Sequence, residues 1–233
     1  MKKFFERHET LVCILLIVLY VLINSFCMQN FGTGDYRSTV INTLFSAALI
    51  GLIFALGGRR YYGLTRAAEP RKYGYFLPLL PIISVNLWGG IHLNHTAAET
   101  IFYILTMLNI GFIEEIIFRG FLFRMMAKSN LRSAVIVSAL TFGVGHIVNL
   151  LNGAELIPTL LQIAYAVSIG FLFVVLFHKS GSLLPCIITH SLVNALSVFN
   201  AEETPLRYVT AAFLIVYPLL WLGFLCRGQQ KTT

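Results

Sequence analysis

The sequence predicts an all-α, polytopic integral membrane protein with about eight transmembrane helices. Three observations carry that prediction. Hydrophobic residues make up 57% of the 233 positions, and mean hydropathy is +0.78. Charged residues are only 12%, against ~25% in a typical soluble domain. Several apolar runs reach the ~18–20 residues that cross a bilayer. Those runs are continuous rather than alternating, which excludes a membrane β-barrel.

The expected spans are 11–28, 40–57, 75–93, 101–126, 133–151, 157–177, 183–200 and 207–225. The first follows Met1-Lys2-Lys3 much as a signal peptide would. Its apolar run is too long for a signal core and lacks a small-residue cleavage site, so it is read as a retained span. Pro78, Pro81 and Gly89-Gly90 break the third, an interruption that neighbouring helices can satisfy in a membrane. The fourth carries charge inside an apolar run, the fifth and seventh each carry a histidine, and the seventh is also among the shortest and the least hydrophobic. An even number of spans places both termini on one side.

Charge distribution chooses that side. With both termini cytosolic, 14 of the 17 Lys and Arg fall in cytosolic segments, among them Arg7, Arg59, Arg60, Arg71, Lys72, Lys128 and Lys231. Only Arg37 and Arg207 fall outside, and Arg119 lies at membrane depth. Asp35, Glu99, Glu155, Glu202 and Glu203 all lie on the far side. This is the positive-inside pattern. It accounts for the net charge of +7 and leaves no reason to expect a nucleic-acid partner. Cys13, Cys27, Cys186 and Cys226 sit in or beside apolar runs without a CxxC, which excludes a thiolate zinc site and gives no disulfide framework.

The chemistry concentrates at Phe112-Ile113-Glu114-Glu115-Ile116-Ile117-Phe118-Arg119. Ionised groups at bilayer depth cost at least ~2.5–3.5 kcal/mol each, so they pair, face a wet cavity, or function. Glu115 and Arg119 share one helix face at i, i+4 and can pair. Glu114 points about 100° away and is open to another partner. Two further clusters lie at depth: Phe142-Gly143-Val144-Gly145-His146, and His190-Ser191-Leu192-Val193-Asn194 with His190 and Asn194 one turn apart. A desolvated Glu114 could act as general base on a water, with the histidines sharing its proton and Asn194 donating to an oxyanion. Glu114, His146 and His190 could equally hold a zinc or other divalent ion that activates the water. Gly143 and Gly145 would let a neighbouring helix or an extended substrate come close.

Other polar residues have plainer readings. His92, His95 and Glu99 have metal-ligand spacing but belong to an interfacial loop edge. Asn24, Asn86, Asn109 and Gln162 read as inter-helix hydrogen bonds. Trp88, Trp221 and tyrosines near span ends fit an aromatic belt.

Glu114-Glu115-xxx-Arg119, Phe142-xxx-His146 and His190-xxx-Asn194, in that order on the fourth, fifth and seventh spans, resemble the CPBP (or Abi) family. Its members are CAAX-prenyl and bacteriocin-processing intramembrane proteases. The resemblance covers about residues 101–200. It implies an eight-span endopeptidase with a four-helix catalytic core in helices 4–7, flanked by helices 1–3 (1–100) and by helix 8 with a cytosolic tail (201–233). It also implies Glu114 as the catalytic glutamate, His146 as its partner in activating water or binding metal, and His190 and Asn194 as the third motif. Glu115 and Arg119 would complete the first. The substrate would be a peptide or membrane protein, the setting a bacterial plasma membrane. A non-catalytic bacteriocin-immunity protein is the alternative function.

Overall fold

The computed structural model describes residues 2–67, 76–200 and 205–227. Arg71, Lys72, the start of the third expected span at 75, Glu202, Glu203 and Lys231 lie outside them. The described chain is entirely helical. A short helix, Lys2–Arg7, precedes α1 (Glu9–Asn30) and α2 (Tyr36–Ala55). Next come the short α3 (Leu79–Ser84), α4 (Ala97–Met126), α5 (Leu131–Gly145), α6 (Leu156–Ser180), α7 (Leu184–Leu196) and α8 (Leu206–Arg227).

Among the described residues six helices are long and apolar enough to cross a membrane: α1, α2, α4, α5 with its extension to Leu151, α6 and α8. The other two expected spans differ. Leu184–Phe199 is apolar but shorter, as its weak hydropathy suggested. The third keeps only α3 and a 3₁₀ turn, Val85–Leu87. Pro81 sits in the first turn of α3, where its missing N–H costs nothing. Gly90 then adopts φ 94°, a left-handed conformation that ends helical winding.

Described residues before and after α3 bond to opposite ends of α7. Gly63 accepts a backbone bond from Leu183 at the start of α7, and His92 donates one to Phe199 at its far end. The bundle therefore has two distinct ends. One gathers Arg59, Arg60, Lys128 and Lys179 and is tied by Lys128–Glu9 at 2.6 Å. The opposite end gathers residues 31–35, 88–96 and 152–156, tied by Gln29 donating to Asn152 at 3.0 Å.

Local chemistry sets the helix starts. Thr96 and Glu99 form a capping box on α4, satisfying two otherwise orphaned donors. Glu99 is thus occupied by the helix start, as the interfacial reading of His92, His95 and Glu99 expects. Asn130 caps α5 through Ser133 N. Asp35 caps α2, and hydrogen bonds from Arg37 hold its carboxyl down at about 2.

Candidate active site

The site forms where α4, α5, α6 and α7 cross closely, and glycines permit the approach. A Cβ on Gly111 would lie 2.7 Å from the Ser191 backbone, so α4 and α7 meet there nearly backbone to backbone. The Ser191 hydroxyl seals the crossing by donating to Leu108 O at 3.0 Å. This sets His190 beside the two glutamates. Gly143 plays the same part for α5 and α6, its Cβ direction filled by Val167. Gly145 has nothing within 4 Å, so of the two expected close-approach glycines only Gly143 meets a helix.

Beyond Glu115, α4 changes winding. Ile116–Phe123 is π-helical, a rare form that is frequent at functional sites. The Phe118 carbonyl is satisfied from outside, by the Ser138 hydroxyl of α5 at 2.9 Å.

Glu115 and Arg119 form the expected pair, with 3.1 Å between Nη1 and Oε1 and both side chains 0% exposed. The N–H directions miss the oxygen, since no Arg119 nitrogen makes a hydrogen bond. The contact is an ion pair reinforced by aromatic faces: the guanidinium lies 4.0 Å over Phe142 and 5.8 Å from Phe173. Gly170 leaves room for it, because a Cβ there would come within 3.3 Å of Nη2.

His190 bridges the two glutamates. Its Nδ1 is 2.9 Å from Glu115 Oε1 and its Nε2 is 3.2 Å from Glu114 Oε2. Two ionised carboxylates require a proton on each ring nitrogen, while a neutral imidazole requires one carboxyl to be protonated. In either state Glu114, His190, Glu115 and Arg119 sum to zero charge, which a low-dielectric interior demands. The other Glu114 oxygen, Oε1, accepts from the Tyr20 hydroxyl of α1 at 2.5 Å.

His146 caps the end of α5. Its Nδ1 is 3.1 Å from Phe142 O, a contact that needs the proton on Nδ1 and leaves Nε2 as an acceptor. Phe142 stands edge-on to both His146 and His190, at 5.3 and 5.4 Å. A cavity of about 470 Å³ is lined by Glu114, His146, His190 and Asn194 together with Tyr20. The three motifs thus converge on one space. A second cavity of about 670 Å³ shares Tyr103, Gln162, Tyr165 and Asn200 with the first and reaches Asn94, Glu155 and Arg207. The site therefore opens toward the end opposite the basic loops. A base, an acceptor imidazole and an amide lining one cavity can support hydrolysis.

Comparison with known families bears on the same segment. Residues 96–196, less than half of the chain, match the family model described as type II CAAX prenyl endopeptidase Rce1-like. This core is similar to the Rce1-like family. The match supports a protease for it, in agreement with the CPBP resemblance of the three motifs. No curated protein and no solved structure matches the chain.

The Rce1-like core can be tested for a metal site. Glu114 Oε2 and His190 Nε2, 3.2 Å apart, have the spacing of neighbouring ligands around an ion bound at ~2.0–2.2 Å. The Glu115 contact to Nδ1 resembles the carboxylate that steadies a ligating histidine. A catalytic zinc needs three protein ligands. Among the described residues no group of three or more His, Cys, Asp or Glu is arranged to hold a metal. Glu114, His146 and His190 as they stand do not complete one.

Tyr20 is the site residue that sequence reasoning missed. It lies outside the Rce1-like segment and mid-span, away from any aromatic belt. Its one signal is spacing: Tyr20, Asn24 and Met28 recur every four residues and all line the cavity. Asn24, expected to bond a neighbouring helix, instead has a buried Oδ1 with no partner. Asn86, Asn109 and Gln162 do bond across helices, to Val193 O, Thr43 and Asn149.

Proposed function

We propose that the protein is an intramembrane endopeptidase that hydrolyses a peptide bond of a membrane-associated protein or peptide with a water activated by Glu114. One observation carries the reading: a nearly buried carboxylate, held at both oxygens by Tyr20 and His190, borders a cavity that also presents His146 and Asn194. The Rce1-like match agrees with it.

In this reading helices 4–7 form the catalytic core, with residues 1–100 and 201–233 around it. Glu114 takes a proton from water as its oxygen adds to the scissile carbonyl, and His146 Nε2 accepts from the same water and orients it. Asn194 donates to the carbonyl oxygen as negative charge develops there. When the C–N bond breaks, Glu114 returns the proton to the departing amine, leaving a carboxylic acid and an amine. His190 holds Glu114 in place, and Glu115 with Arg119 holds His190. The water route draws on side chains already assembled.

The Lys and Arg distribution supports cytosolic termini, and the CPBP resemblance supports a bacterial plasma membrane as the setting. The test is a comparison of protein N-termini in cells carrying wild-type or E114Q protein at matched expression. Termini that disappear with E114Q identify the substrate. An unchanged set, with a cellular phenotype intact, overturns proteolysis in favour of an immunity or scaffold role.

A further inference from the structure

From the cavity lining we infer that the substrate segment is an uncharged, extended stretch of peptide, cut internally and admitted from the non-cytosolic face. The inference rests on the proteolytic reading and specifies its substrate class.

The inner cavity is lined by amides rather than charges. Beyond Glu114, His146 and His190, it presents Asn24, Asn149, Asn152, Gln162 and Asn194, and no Lys, Arg or Asp among the described residues. Two of these amides are incomplete. Asn24 Oδ1 and Asn152 Nδ2 are buried with no hydrogen-bond partner, although Asn152 Oδ1 is tied down by Gln29. Buried polar groups in folded proteins are satisfied by protein, water or ligand. One bare acceptor and one bare donor match the N–H and C=O that an extended backbone offers.

The same lining selects against charge. A substrate Lys or Arg entering this space would lose water and find only the catalytic carboxylate, and an Asp or Glu would find no Lys or Arg in the lining. A free C-terminal carboxylate would face Glu114 with no Lys or Arg in the lining to meet it. The chain terminus must therefore stay outside, and the bond cut is internal. A cavity of this size suits a short peptide segment.

Access follows from the second cavity. The space widens past Tyr103 and Asn200 to Asn94, Glu155 and Arg207, at the end opposite Arg59, Arg60, Lys128 and Lys179. By the positive-inside rule that end is not cytosolic.

The experiment uses right-side-out and inverted vesicles from cells making wild-type or E114Q protein. Each receives a membrane-impermeant, proteome-derived peptide library as free acids or C-terminal amides, and new termini are read by mass spectrometry. The expected result is Glu114-dependent cleavage in right-side-out vesicles only. Charged residues should be depleted beside the bond, and amides cut as well as acids. On the best peptide, N24L and N152L of the purified protein should each raise KM about tenfold, the loss of roughly one hydrogen bond, with kcat within about twofold. The two sites lie on separate elements, so a folding defect in one variant leaves the other to decide. Glu114-dependent cuts from the inverted side, charged residues at library frequency, or dependence on a free carboxylate each overturn this inference alone. Identical products from wild-type and E114Q vesicles overturn the proteolytic reading and this inference with it.

Discussion

Replacing Arg119 by methionine should be among the most damaging single changes in the molecule. The guanidinium is 0% exposed, 3.1 Å from Glu115 and 4.0 Å over Phe142. Its removal leaves the equally buried Glu115 carboxylate with only His190 Nδ1, and Glu115 Oε2 already lacks a partner. Breaking one side of a buried pair costs about 3–5 kcal/mol. The desolvated cation–π contact, worth ~2 kcal/mol, is lost with the same atoms, so the total stays near that range. A typical fold is stable by only about 5–15 kcal/mol. The double variant E115Q/R119M removes both charges and should recover at least about half of the loss. It should remain inactive, because His190 no longer has a carboxylate at Nδ1. Equilibrium unfolding in mixed micelles, followed by circular dichroism for wild type, R119M, E115Q and the double variant, measures the coupling. A loss under about 1 kcal/mol for R119M, or single-variant losses that simply add, refutes the reasoning.

Further outcomes follow from the same geometry. G111A, whose new Cβ would lie 2.7 Å from Ser191 backbone atoms, should cost about 1–3 kcal/mol through overpacking. It should also abolish cleavage by moving His190, which unfolding and activity measured side by side will show. Y20F keeps the ring and removes the hydroxyl bonded to Glu114. A hydrogen bond to a charged group is worth about 1.5–3 kcal/mol, so kcat should fall roughly ten- to a hundredfold with KM and melting temperature little changed. Chelator treatment of purified protein should leave activity intact, since the described donors do not close around an ion. Activity lost and then restored by added zinc would show that His146 moves to complete a site.

The charged half of the site was legible because charge at membrane depth has few innocent uses. Glu114, Glu115, Arg119, His146, His190 and Asn194 all stand around or beneath one cavity, as their order on successive spans implied. The contacts that assemble them were not legible. Gly111 looks like any glycine in an apolar helix until Ser191 is seen against it, and Gly170 gives no hint that it makes room for Arg119. Tyr20 stayed hidden because a tyrosine in a span has an apolar body and several ordinary roles. The third span was legible as an interruption, since Pro78, Pro81 and Gly89-Gly90 mark it. Those residues leave only a short helix, while Gly63 and His92 meet Leu183 and Phe199 through backbone bonds whose pairing no composition reveals.

The most direct measurement is cleavage of an identified substrate by purified wild-type and E114Q proteins in liposomes, with both shown equally folded by thermal unfolding. The account predicts one cut bond with wild type and a rate at least about 10²-fold lower with E114Q, the scale of a lost general base. Equal rates from the two proteins would contradict it.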